Sequence, residues 1–223
     1  MRLTHDRLSS PIGPIRLVCD GPALCALDFE DYEARMLALL RRYHGAVRLA
    51  EGRAPLPVRR ALEAYFAGDL HALDPLSTVS AGTPFQRQVW TALRMVPPGV
   101  TTTYGALASS IGRPGASRAV GAANGANPVA IVVPCHRVIG STGALIGFGG
   151  GLERKAWLLR HEAQAAAGRL EGRPRAGSGT PVRADERSAL AFDGETCLDA
   201  RTTPRRPKRP RETTDGTSPS VET

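Results

Sequence analysis

Cysteine is scarce in this chain: there are four among 223 residues, at positions 19, 25, 135 and 197. That is too few for a disulfide framework, so reduced thiols are expected. Long apolar runs are missing as well. No stretch approaches the roughly 18 residues needed to span a bilayer. Residues 1–10 carry charges where a secretory signal would place an apolar segment. These absences point to a soluble, cytoplasmic protein with no membrane partner. No tight pair of metal ligands occurs either. His5, Cys19 and Cys25 lack a fourth ligand, so no metal site is expected. Leu152 follows Gly147, Gly149, Gly150 and Gly151 where the dinucleotide-binding spacing needs a glycine, so that motif is absent.

Charge is present, and it is uneven. The formal net charge is +8. Residues 1–82 hold ten basic and ten acidic side chains and sum to zero. Residues 83–163 set eight basic residues against Glu153 and Glu162, which leaves +6. The excess points to a polyanionic partner; a merely solubilising surface is the alternative reading.

Turn residues at 9–14 and 20–22 separate three strand-like runs, Arg2–Leu8, Ile15–Cys19 and Leu24–Phe29. Apolar residues at helical spacing predict helices over Glu30–Tyr43 and Val58–Phe66, with Tyr65 and Phe66 as core. Thr83 and Gln86 form a capping box, with Pro84 at the first helical position, so a helix begins there and stops at Pro97-Pro98-Gly99. Short helices over Thr103–Ile111 and Ser117–Asn124 flank the turn Gly112-Arg113-Pro114-Gly115, a helix-turn-helix pattern. The second of these is small-sided: Ala119, Gly121, Ala122 and Ala123 surround Arg118, which implies close approach by another surface. Residues 167–223 are rich in Arg, Pro, Gly, Ser and Thr without a sustained period and read as a disordered tail, Cys197 included. The expected domains are therefore 1–82, 83–166 and the tail, 167–223.

The most informative run is Pro134-Cys135-His136-Arg137-Val138, preceded by the apolar Val129–Val133. It reads as a buried strand that ends in a cysteine, with a proton acceptor and a cation beside the sulfur. Thiolate is the nucleophilic form, and a free thiol with a pKa of roughly 8.5 needs such neighbours at neutral pH.

From Thr83 to Glu162 the chain closely resembles the O6-alkylguanine-DNA alkyltransferases. The match is carried by 117–124 (SRAVGAAN), Asn127-Pro128-Val129, 134–138 (PCHRV), 150–155 (GGLERK) and 157–162 (WLLRHE), and Ser10-Pro11-Ile12-Gly13 resembles the family's first domain. The resemblance implies an α/β (α+β) fold. A small ribonuclease H-like sheet-plus-helix domain would precede a mostly helical domain with a helix-turn-helix. It implies that Cys135 accepts the alkyl group, that His136 deprotonates it through a water, and that Glu162 orients His136. Asn127 would tie the turn that places the cysteine, and Tyr104 would bond the guanine and help turn it out. Arg118 would fill the vacated place in the stack, with Thr103, Ala119, Gly121 and Ala122 against DNA. Backbone groups of Cys135 and Val138, together with Phe148, Gly149 and Lys155, would face the substrate. No cofactor is implied. The partner would be duplex DNA carrying O6-alkylguanine or, less well, O4-alkylthymine, and the protein a monomer that reacts once.

Two positions depart from the family's pattern: Phe148 stands where a tyrosine is common, and Gly149 offers no side-chain donor. Two rivals remain. A sequence-reading DNA regulator would keep its binding after loss of Cys135, and a cysteine hydrolase would turn over repeatedly without need of Arg118.

Overall fold

The computed structural model describes residues 1–79 and 81–171. Cys197, the basic run at 204–211 and most of the expected tail lie outside the described residues.

The first half is a sheet clamped between helices. Strands β1 (Arg2–Leu8), β2 (Ile15–Asp20) and β3 (Ala23–Phe29) pair antiparallel in succession. Gly13 at φ 99° supplies a left-handed residue that other side chains resist, and so lets the first turn close. A fourth strand, β4 (Arg48–Glu51), lies parallel to β1 and gives the order β3-β2-β1-β4. It was not expected from the sequence, because four residues are too few to show a period of two. After a 3-10 turn at Glu30–Tyr32, α1 (Glu33–His44) lays Met36 and Leu40 on a cluster with Leu3, Val18, Cys25 and Ala26. A second, larger core holds Ile15, Leu17, Cys19, Leu27 and Phe29 with residues of α2 (Leu56–Phe66). Cys19 and Cys25 therefore belong to separate cores. Burying each such side chain stabilises by about 1.5–3 kcal/mol, and this core continues into the second half of the chain through Val89, Leu93, Val129 and Leu158.

In that half α3 (Pro84–Arg94) opens with both reciprocal bonds of the capping box, Gln86 N to Thr83 Oγ1 (3.2 Å) and Thr83 N to Gln86 Oε1 (2.9 Å). The two-residue β5 (Thr102–Thr103) leads into α4 (Tyr104–Ser110), and a turn leads to α5 (Ser117–Gly125). Trp90 of α3 donates its indole N–H to Ala123 O of α5 (2.9 Å). A 3-10 turn, Cys135–Arg137, precedes β6 (Val138–Ile139), which pairs parallel with β5. The last helix, α6 (Leu152–Glu171), runs on past 166 into the segment expected to be tail.

One expectation is corrected. Val129–Val133 is buried, but it is not a strand. Only Val129 bridges β3, opposite Leu27, with Leu27 N bonded to Pro128 O and Ala130 N to Leu27 O, each at 3.0 Å. Ile131 then takes φ 70°, a conformation β-branched residues rarely adopt, and the chain turns on itself. The apolar run satisfies a buried turn as well as it would a strand, so periodicity alone misleads. Among the described residues no helix is long and apolar enough to cross a membrane.

Candidate active site

Cys135 opens its 3-10 turn and is only 4 % exposed. Asn127 holds the turn behind it: Nδ2 donates to Val133 O (2.8 Å) and Oδ1 accepts from Val129 N (3.0 Å). Burial pushes the Cys135 thiol up, while the Asn127 amide, Arg35 and Lys155 favour the thiolate and partly offset it. The resting sulfur is therefore a thiol that needs a base.

That base is adjacent. His136 is fully buried, with Nε2 2.9 Å from Glu162 Oε1. An ionised carboxylate only accepts, so Nε2 carries the hydrogen and Nδ1 keeps the lone pair. Nδ1 has no hydrogen-bond partner among the described residues. Burial lowers the His136 pKa, with Arg137 and Lys155 adding to the effect and Glu162 opposing it, so the ring is a neutral acceptor at neutral pH.

Glu162, on α6, is the hub. It accepts from His136, from Arg137 Nε (3.0 Å to Oε2) and Nη2 (2.8 Å to Oε1), from Tyr65 Oη (2.8 Å) and from Gly99 N (3.1 Å). Burial alone would raise its pKa, but His136 and Arg137 outweigh that and hold it well below the usual carboxylate range. The Arg137 cation is thus directed at Glu162 and not, as its place in the sequence suggests, at the sulfur. Its Nη1 also donates to Val96 O (2.6 Å).

A pocket of about 450 Å³ is lined by Thr103, Tyr104, Arg118, Gly121 and Ile146 among others, and Cys135 comes near enough to Tyr104 to act on it electrostatically. Tyr104 Oη donates to Ile146 O (3.2 Å), and its ring lies 3.7 Å from where a Cβ on Gly121 would stand. Lys155, fully buried, donates to Val138 O and Ile146 O (2.6 Å each) and more weakly to Gly147 O (3.4 Å). Burial brings its pKa down to about 8.

This arrangement can deprotonate one sheltered sulfur and ready it to attack a carbon brought up to it. Its parts coincide with two family models. Residues 4–78 match the ribonuclease-like domain of 6-O-methylguanine DNA methyltransferase, and 84–164 its DNA binding domain. A methylated-DNA–protein-cysteine methyltransferase of Salmonella typhimurium is 51% identical over 166 residues, covering 73% of this chain and 96% of that one. The chain belongs to the methylated-DNA–protein-cysteine methyltransferase family. A family member of the same name from Mycobacterium tuberculosis is 43% identical over 170 residues (74% and 95%). The Mycobacterium tuberculosis OGT solved in complex with DNA aligns at TM-score 0.61 and 40% identity, over 74% of this chain and 94% of that one.

Against the methyltransferase pattern, Cys135, His136, Glu162 and Asn127 come together at one centre, and Tyr104, Thr103, Arg118 and Gly121 line one pocket. Ala119 and Ala122 lie with Arg118 on the exposed side of α5. The backbone groups of Val138 already have protein partners, its N–H on Cys135 O and its carbonyl on Lys155, so only the second lone pair of that carbonyl remains for a ligand. Lys155 likewise has carbonyls on its donors, which makes it a support of the pocket wall and not a free substrate contact. The Phe148 ring meets Phe29 and His136 edge-on, at 6.2 and 6.4 Å between centroids. His161 is half-buried, stacked on Trp157 (4.9 Å), with Nε2 2.8 Å from Tyr65 O.

Two residues escaped the sequence reading. Arg35 of α1 pairs with the buried Asp28 and donates through Nη2 to Gly125 O (2.8 Å) and Asn127 O (3.1 Å). Its guanidinium carbon lies 2.6 Å from where a Gly149 Cβ would be, so it fills the space of the missing side chain. Tyr65 reaches Glu162 across 97 positions of sequence. Neither contact leaves a local signal: one reads as a solvent charge, the other as core.

Proposed function

We propose that the protein repairs O6-alkylguanine in duplex DNA, and O4-alkylthymine less well, by moving the alkyl group irreversibly onto Cys135. The observation that carries this reading is the buried Cys135 beside a neutral His136 whose Nδ1 is unpartnered and whose Nε2 is fixed on Glu162. Cys135 and His136 share no direct hydrogen bond, so the thiol proton passes through a bridging water to Nδ1. The sulfur then attacks the alkyl carbon in line, the carbon–O6 bond breaks, and its electron pair leaves with the base. Guanine takes up one proton, so that overall the thiol proton is exchanged for the alkyl group. Glu162 stabilises the imidazolium formed in between. Reversal would need a nucleophile to displace thiolate from a saturated carbon, a slow step, so each molecule reacts once.

A base inside the duplex cannot reach a sheltered sulfur, so it must leave the stack, at a cost of a few kcal/mol. The exposed face of α5, with Arg118 between small residues, suits a helix lying in a groove with one side chain as a wedge. Thus α4, the turn and α5 act as a helix-turn-helix that distorts DNA and does not read its sequence. Cys19, Cys25 and Cys135 are all free, which suits a reducing, cytoplasmic setting. The protein acts as a monomer.

The test is to mix the chain with a duplex carrying one O6-methylguanine, weigh the intact protein and map the modified peptide. One methyl on Cys135, saturating at one per molecule, is expected. Lesion binding without a mass change, or release of product over many turnovers, would overturn the reading in favour of a recognition protein or a hydrolase.

A further inference from the structure

We propose that Tyr65 is a positioning residue of the transfer reaction, its hydroxyl holding Glu162 Oε1 in the direction that orients the His136 ring. The proposal rests on the function given above and goes beyond it, since it gives the first half of the chain a part in the chemistry.

The geometry is specific. Tyr65 is fully buried, packed edge-on against Phe66 (5.4 Å between centroids) and His161 (5.3 Å). A phenylalanine would bury nearly the same apolar surface, so packing alone does not call for the hydroxyl. That hydroxyl lies 2.8 Å from Glu162 Oε1, the oxygen that also accepts from His136 Nε2 (2.9 Å) and Arg137 Nη2 (2.8 Å). Donors from three residues, Arg137 Nε (3.3 Å) included, converge on one carboxylate oxygen and share its lone pairs. Each therefore weakens the hold of the others. Removing the Tyr65 donor lets Oε1 draw harder on the Nε2 hydrogen and makes Nδ1 more basic.

The charged and titratable groups around His136 are accounted for. Glu162 and Lys155 face it from α6, Arg137 follows it in its own turn, and Tyr65 acts from α2 through Glu162. Cys135 precedes it. Burial and the Glu162 contact keep Tyr65 protonated far above neutral pH, so it remains a donor throughout the working range.

The experiment uses the full chain with Tyr65→Phe, and separately with 3-fluorotyrosine at 65, a stronger donor of nearly the same shape. Two readouts are taken: the ¹⁵N NMR titration of the His136 ring in unreacted protein, and the pH profile of methyl uptake from an O6-methylguanine duplex. In Tyr65→Phe the His136 midpoint and the acid limb of the profile should rise together, by roughly half a pH unit. With 3-fluorotyrosine both should fall. A His136 titration unmoved in both variants would overturn the proposal, even if thermal stability drops, because a purely structural Tyr65 would cost stability alone. If the fluorinated chain folds and Tyr65→Phe does not, the downward shift decides by itself. Failure of the unsubstituted chain to take up any methyl would sink the proposed function, which the NMR readout registers separately.

Discussion

Replacing Glu162 by glutamine tests the hub of the site, because it removes one charge and almost no volume. Arg137 is 6 % exposed and directs Nε and Nη2 at this carboxylate. Its charge would stay buried without a counter-ion. Breaking a buried pair by removing one partner costs about 3–5 kcal/mol, and in a chain of this size each kcal/mol lowers Tm by about 2–4 °C. The expected drop is therefore roughly 6–20 °C. Chemistry suffers in a separate way. Glu162 is the chief influence raising the His136 pKa, while burial, Arg137 and Lys155 all lower it. Without the carboxylate the ring becomes a weaker base, and the acid limb of the rate profile moves to lower pH while the plateau falls by about 100-fold or more. The assay is single-turnover methyl uptake against pH, beside urea unfolding. Adding Arg137→Met should restore about half or more of the lost stability, since the stranded charge is gone, and should restore none of the rate. A Glu162→Gln protein within about 1 kcal/mol of the parent would refute the claim that this pair is buried and mutually dependent.

Other expectations follow from the same geometry. Arg118→Ala should slow repair of duplex DNA far more than reaction with free O6-benzylguanine, and equal slowing would remove the wedge. Gly149→Ala places a Cβ 2.6 Å from the Arg35 guanidinium carbon, so it should cost about 1–3 kcal/mol; Arg35→Ala in the same chain should suppress most of that loss, and additive costs would deny the contact. Lys155 has a folded pKa of about 8 against an ordinary 10.5, so between those values the unfolded chain binds more protons and its contribution to stability rises with pH. Subtracting the unfolding profile of Lys155→Met should isolate that slope, and a flat difference would mean the amine is not desolvated. Cys135→Ser should retain lesion binding and gain no methyl by mass, whereas a methylated serine chain would move the acceptor elsewhere.

Local chemistry was legible in the sequence. The Thr83–Gln86 capping box forms with both bonds, and the turns at 9–14 and 20–22 delimit β1 to β3 as expected, because each depends on residues a few positions apart. The run at 134–138 pointed to Cys135 and His136, which the structure buries next to each other in one turn. What stayed hidden was non-local. β4 exists only because β1 is there to pair with it, Arg35 is explained by carbonyls at 125 and 127, and Tyr65 by a carboxylate 97 residues away. The apolar run before Cys135 misled for another reason: its composition suits any dry place, and the left-handed Ile131 that bends it is not what a β-branched residue suggests.

The short bridge between Leu27 and Val129 also bears on how the molecule keeps to itself. β3 is buried along almost its whole length, and bare it would be an adhesive border for another chain. Two segments of the same polypeptide close that border, Ser77–Val79 at Leu24 and Pro128–Ala130 at Leu27. The opposite border is β4, four residues long, with Arg48 and Glu51 exposed at its ends. On the single-use reaction proposed above, many molecules must be stored ready, and a sheet with one border covered and the other short and charged at its ends can be crowded without fusing to its neighbours.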